Sequence, residues 1–131
     1  MAGEILLIVD DNPQNLKLAT VILRADGYDV RTAIDAEDAL AMLSSFTPRL
    51  ILMDLQLPGM DGLALTRRIK ADPAWRRILI VALTAYAMKG DDEKAFAAGC
   101  DGYMSKPIDI DALSRAVAGY LDGQAGQGAE R

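Results

Sequence analysis

The chain contains no histidine. That absence removes serine–histidine triads, imidazole metal sites and histidine general bases together. It also excludes the protein itself as a phosphohistidine donor. A single cysteine, Cys100, leaves no intrachain disulfide and suits a reducing compartment. It sits in AAGCDGY, just before a strand pattern, where packing accounts for it. Positive charge is short as well: 14 Lys and Arg stand against 19 Asp and Glu, a net charge of −5. A nucleic-acid surface wants the opposite balance, and the pairs Arg67-Arg68 and Arg76-Arg77 are too sparse to restore it. No apolar run approaches the length of about 20 residues that spans a bilayer. The N-terminal MAGEILLIVDD shows neither a basic leader nor a cleavage site. The expectation is a cytoplasmic protein with no membrane and no nucleic-acid partner. Its 131 residues, 51% of them apolar, suit one domain with a real core.

What is present is a set of short apolar runs, each closed by polar residues. ILLIV (5–9), LILM (50–53), ILIVAL (78–83) and the shorter GYMS (102–105) read as buried parallel strands. YDVRTA (28–33) alternates and reads as a half-exposed edge strand. Helical patterns separate them. Asn12 and Pro13 form an N-cap and first helical position for a helix near 13–26, with Leu16, Ala19, Thr20 and Leu23 on one face and Gly27 as its stop. Further helices are expected near 36–45, opened by Asp35; from the PGMDG turn (58–62) to Ala71, ended by Asp72-Pro73; near 91–98, ended by Gly99; and near 110–121. Five strand–helix alternations imply an α/β fold with a parallel sheet covered on both faces. Residues 1–121 form the domain. The tail from 122 onward, including GQAGQGAER (123–131), has no apolar anchor and is expected to be disordered.

In an open α/β sheet the ligand site lies outside the carboxyl ends of the strands. Asp10-Asp11, Asp54, Thr84 and Lys106 stand at four such ends, so three carboxylates, a hydroxyl and an ammonium converge on one crevice. A hard divalent cation takes carboxylate oxygens, and Mg²⁺ commonly adds phosphate oxygens and water. An aspartate can act as nucleophile toward phosphorus and form an aspartyl phosphate. Thr84 can donate to a phosphate oxygen, and Lys106 can pair with Asp54 or with the phosphoryl group. Each residue alone has a plainer role. Asp11 fits a turn that opens a helix, Asp54 a solvated strand-end acid, Thr84 a strand residue and Lys106 an exposed lysine. The joint pattern carries the reading.

VDDN (9–12), LILMDLQLPGMDG (50–62), ALTA (82–85) and YMSKP (103–107) together resemble the receiver domain of two-component response regulators, over residues 4–121. LTAYAMKGDDEKAFAAGCDGYMSKPI (83–108) is similar to single-domain cell-cycle receivers of alphaproteobacteria and to receivers of hybrid kinases. The resemblance implies a flavodoxin-like, doubly wound (βα)5 fold with strand order 2-1-3-4-5. It implies that Asp54 is the phosphoacceptor. Asp11 would bind Mg²⁺ directly, Asp10 mainly through water, and the backbone carbonyl of Gln56 would add a ligand. Thr84 and Lys106 would hold the phosphoryl oxygens. Thr84 and Tyr103 would be the switch residues, and Pro107 would follow a cis peptide bond. Gln56 and Tyr86 would tune the lifetime of the phosphorylated state. The implied partner is a histidine kinase or histidine phosphotransfer protein, with an effector downstream. The protein would be a monomer or weak homodimer and a signalling switch rather than an enzyme, catalysing only its own phosphoryl transfer and dephosphorylation.

Other readings fit less well. A haloacid-dehalogenase-type phosphohydrolase wants a second acid two residues after its nucleophile, and here that residue is Gln56. A flavin mononucleotide site wants a glycine- and hydroxyl-rich loop, whereas DDNPQN would repel a phosphate without a metal. A receiver acting as a phosphate-independent scaffold, or a receiver fragment of a larger regulator, stays open. Ala95, Ala98, Leu113, Ala116 and Val117 lie on the face through which receivers often dimerise, and they fit a core equally well.

Overall fold

The computed structural model describes residues 3–57, 59, 61–84, 90–105 and 109–130. Five strands alternate with five helices: β1 (Ile5–Val9), α1 (Pro13–Ala25), β2 (Asp29–Ala33), α2 (Ala36–Leu43), β3 (Leu50–Asp54), α3 (Gly62–Ala71), β4 (Leu79–Thr84), α4 (Asp91–Ala98), β5 (Gly102–Ser105) and α5 (Ile110–Glu130). Every strand pair is parallel, in the order β2-β1-β3-β4-β5. This is the doubly wound flavodoxin-like architecture.

Strand alternation sorts the core into two layers. Leu7, Val9, Ile51, Met53, Ile80 and Ala82 point to one face, where α2, α3 and α4 cover them with Ala39, Leu43, Leu65, Ile69 and Ala95. Leu6, Ile8, Leu50, Leu52, Val81 and Leu83 point to the other, under Ala19, Leu23, Leu113 and Val117 of α1 and α5. Burial on both faces explains why the three inner strands read as unbroken apolar runs. β2 is an edge strand, with Val30 buried in the α1–α5 layer, Ala33 in the opposite layer, and Asp29 and Thr32 exposed. Its outer side carries Arg31, paired with Asp29 at 3.0 Å and lying 4.7 Å over the Phe46 ring. Charge on an edge strand discourages pairing with another chain.

The helix starts follow their capping residues. The Asn12 side chain accepts from the N–H of Gln14 and Asn15, Asp35 from Asp38, and Asp61 from Ala64. α4 differs: Gly90 precedes it and Gly99 follows it, both with left-handed φ (90° and 113°). The last helix, expected near 110–121, runs from Ile110 to Glu130. Its Leu121 is buried against the α1 side of the sheet.

The residues weighed as a dimer face belong to the interior. Ala95, Ala98, Leu113 and Val117 are buried and Ala116 is half-buried. Cys100 is buried too, its Sγ–H donating to the Thr66 hydroxyl oxygen at 3.8 Å. Burial pushes this thiol above its ordinary 9.0, with the Asp101 carboxylate adding to the rise. A thiol whose folded value is raised contributes stability that is whole below the unfolded value and is lost as pH climbs through the folded one. Cys100→Ala should therefore flatten the fall in urea midpoint above pH 9. An unchanged slope would remove Cys100 from that pH dependence.

Candidate functional site

Strand order reverses between β1 and β3: the chain leaves β1 for β2 on one side and returns to β3 on the other. A crevice opens at such a point, beyond the carboxyl ends of the two strands. Asp10 and Asp11 follow β1, and Asp54 closes β3. The structure brings all three together, each offering a carboxylate oxygen within 4.8 Å of the others. Asp10 and Asp54 are buried, while Asp11 is exposed.

Local hydrogen bonds aim these groups. The N–H of Asp10 donates to the Ala33 carbonyl at 3.1 Å, continuing the β1–β2 ladder one residue past the strand. Its Oδ1 accepts from the Asn12 N–H at 2.9 Å. Asn12 then caps α1, so the positive end of that helix dipole lies beside the acids and partly offsets their mutual repulsion. Asp54 Oδ1 accepts from the Gln56 N–H at 3.0 Å, and the Leu55 N–H donates to the Leu83 carbonyl at 3.0 Å. These bonds tie the end of β3 to β4 and fix the carboxylate relative to the strand.

Thr84 is the last residue of β4, buried, one step beyond Leu83, which pairs with Asp54. Adjacent strands lie about 4.8 Å apart, so the hydroxyl-bearing residue flanks the carboxylate. On the far side Thr84 pairs with Ser105 and Ala82 with Tyr103. Side chains two apart on a strand share a face, so Thr84, Ala82 and Tyr103 lie on the same face of β4 and β5. Tyr103 packs, partly buried, against the core under α3 and α4. Gln56 is exposed in the connection after β3. Lys106, Pro107 and Tyr86 lie outside the described residues.

Three hard carboxylate oxygens at this spacing, two from buried residues, fit a divalent cation that favours oxygen ligands. Without a cation their repulsion would be costly in a low-dielectric crevice. The arrangement can therefore bind a metal and present an ionised carboxylate beside it.

A family model of the response regulator receiver domain matches residues 6–118. The chain belongs to this family. The polar-differentiation response regulator DivK of Brucella anthropi is 40% identical over 116 residues, covering 88% of this chain and 94% of that protein. Among solved structures, a putative response regulator from Chloroflexus aurantiacus superimposes with a TM-score of 0.87 at 32% identity, covering 92% of this chain and 98% of that one. The receiver domain of the sensor histidine kinase PA1611 from Pseudomonas aeruginosa gives 0.84 at 37% identity, covering 92% and 99%, and has a magnesium ion coordinated in its active-site cleft. Family membership displaces the phosphohydrolase and flavin readings. No helix of the described residues is long and apolar enough to cross a membrane.

In the sequence Gly62 shows only as the end of the PGMDG turn. Gly62 is the first residue of α3 and lies directly on the backbone of Asp54 and Leu55. The available signal was a glycine placed straight after a helix-capping aspartate, where another residue would suit the helix better.

Proposed function

We propose that this receiver is a phosphorylation-dependent switch, cytoplasmic, with Asp54 as phosphoacceptor. The observation that carries the reading is the meeting of the Asp10, Asp11 and Asp54 carboxylates within 4.8 Å at the topological switch point. Asp11 and Asp54, with the Gln56 carbonyl, would hold Mg²⁺ directly, and Asp10 mainly through water. Bound Mg²⁺ supplies charge neutralisation for a transferring phosphoryl group. Asp54 is ionised already and needs no general base. An oxygen of its carboxylate attacks phosphorus in line, and the P–N bond of the partner's phosphohistidine breaks. The bonding pair returns to the imidazole nitrogen. Thr84 and Lys106 then hold the phosphoryl oxygens. Water later attacks the acyl phosphate and restores the carboxylate.

The shared face of Thr84 and Tyr103 supports a role for the two as switch residues. Movement of Thr84 toward the phosphoryl group vacates space into which Tyr103 turns, repacking the β4–α4–β5 surface. The size of the change is set by the difference in contacts between two populated states. A histidine kinase or phosphotransfer protein is the donor. Leu18 and Val21, one turn apart on α1, with Ile34 after β2 and Ile110 opening α5, are exposed apolar residues on elements that border the acidic end. They suit a partner's helical surface. On α4 the large exposed apolar group is Phe96, which suits a monomer or weak homodimer.

The test is intact-protein mass after incubation with a small acyl phosphate, with and without Mg²⁺. One added phosphoryl group that requires Mg²⁺ supports the reading. No addition, together with no Mg²⁺ binding by calorimetry, would leave a phosphate-independent scaffold. Asp11→Ala should weaken Mg²⁺ binding about 10- to 100-fold and more than Asp10→Ala, because Asp11 would ligate the ion directly and Asp10 mainly through water. Equal losses would undo the division into direct and water-mediated ligands. We place the end of the receiver unit at 121, where Leu121 packs into the core. Removing residues 123–131 should change unfolding free energy by less than about 0.5 kcal/mol, and a larger loss would assign the tail a structural role.

A further inference from the structure

We infer that Gly62 is a positioning residue for the phosphoacceptor: this side-chain-free first residue of α3 is the floor on which the Asp54–Leu55 backbone rests. Its φ lies outside the left-handed region, so conformational freedom does not explain a glycine here. Nor does helix propensity, which ranks glycine near the bottom. Close approach explains it. An ideal Cβ at position 62 would fall 2.4 Å from the Asp54 carbonyl oxygen, 2.8 Å from Leu55 Cα and 3.1 Å from the Asp54 carbonyl carbon. All three are backbone atoms, so no side chain can swing aside to make room.

The contact is held from both sides. The Gly62 N–H donates to the Leu55 carbonyl at 3.2 Å. The Gly62 carbonyl accepts from the buried Thr66 hydroxyl at 2.8 Å, which braces the first turn from within the helix. On the other side, Asp54 is fixed in the sheet by its register with Leu83 and by the Leu55 N–H bond to the Leu83 carbonyl. A methyl group at position 62 must therefore displace either the start of α3 or the end of β3. Displacement of β3 shifts the Asp54 carboxylate away from Asp10 and Asp11, and with it the Gln56 backbone. The alternation rules that mark core residues do not reveal such a contact, because glycine has no side chain to bury.

This inference rests on the reading of Asp54 as the phosphoacceptor. The test compares Gly62→Ala with wild type and with Arg67→Gly, which weakens the exposed middle of the same helix. Three readouts are taken: amide chemical shifts in Mg²⁺-free protein, Mg²⁺ affinity by calorimetry, and the initial rate of mass labelling by a small acyl phosphate. Gly62→Ala should move the Leu55 and Gln56 amides without any metal present, and weaken Mg²⁺ binding and slow labelling about tenfold or more each. Arg67→Gly should leave all three at wild-type values. Should Gly62→Ala fail to fold, Thr66→Val takes its place, with shifts at Leu55 and about threefold weaker Mg²⁺ binding expected from the loosened first turn. Folded Gly62→Ala with wild-type amides and Mg²⁺ affinity would overturn the inference, as would unchanged values in Thr66→Val where the alanine variant does not fold. Wild type that neither binds Mg²⁺ nor labels would instead defeat the underlying reading of Asp54, and the inference with it.

Discussion

Asp54→Asn should abolish phosphoryl labelling and at the same time stabilise the protein in Mg²⁺-free buffer. Asparagine keeps the shape of the side chain, and its carbonyl oxygen can still accept the Gln56 N–H that Asp54 Oδ1 accepts at 3.0 Å. What it removes is the negative charge and the nucleophilic oxygen. An amide oxygen does not attack phosphorus at a useful rate, so labelling should fall to background rather than by a modest factor. The second effect comes from the same geometry. Three carboxylate oxygens within 4.8 Å repel one another, and two of their residues are buried. Neutralising one relieves part of that repulsion, a gain of up to about 4 kcal/mol for a pair of unit charges about 4 Å apart near a protein surface. Mg²⁺ offsets the same repulsion in wild type and binds the variant less well, so the stability gap should close or reverse as Mg²⁺ is added. Mass spectrometry reads the first effect and urea denaturation at two Mg²⁺ concentrations the second. Labelling of Asp54→Asn at the wild-type level would remove Asp54 from the mechanism. A variant less stable than wild type without Mg²⁺ would show that the contacts of the charged carboxylate outweigh its repulsion from Asp10 and Asp11.

Much of this was legible in the chain because the signals are local. Asn12-Pro13 and Asp35 each announce a helix within three residues of where their side chains make the capping bond. β1, β3 and β4 show themselves as apolar runs because both faces of the sheet are covered. The acidic crevice follows from one topological rule applied to strand ends, which is why Asp10, Asp11 and Asp54 could be grouped although Asp54 lies 43 positions after Asp11. Hidden features are those with no local cause. Gly62 matters through an atom it lacks. Lys70 and Asp101, 31 positions apart, meet only in the folded sheet, and nothing in the sequence near either marks it as more than a surface charge.

That pair gives the largest stability effect expected outside the apolar core: Lys70→Met should cost about 2–3 kcal/mol. The Lys70 ammonium donates to the Arg76 carbonyl at 3.1 Å, the Ile78 carbonyl at 2.7 Å and Asp101 Oδ2 at 2.8 Å. An ammonium has three donors, and here all three are engaged. Asp101 Oδ2 also accepts the Ile80 N–H at 2.9 Å. One cation thus joins the end of α3 to the amino ends of β4 and β5. Gly99 keeps the lysine stem in place: an ideal Cβ there would fall 2.8 Å from Lys70 Cγ, and its φ of 113° disfavours any other residue. Methionine preserves the apolar stem while removing the charge, so the loss reports the polar contacts alone. It leaves two carbonyls and a carboxylate without the cation, and exposures of 19% and 34% for the two side chains keep the cost below that of a fully buried pair. Asp101→Asn retains an oxygen for the Ile80 N–H and should cost about 1 kcal/mol. The double variant should cost less than the two singles added together, because each single strands the other's partner. Urea denaturation of the four proteins measures the coupling. Lys70→Met within about 0.5 kcal/mol of wild type would reduce the clamp to a surface ion pair. Because the clamp sits at the amino ends of the strands, opposite the carboxylates, Mg²⁺ affinity should be unchanged in every variant, and a loss there would mean that the two ends of the sheet are coupled.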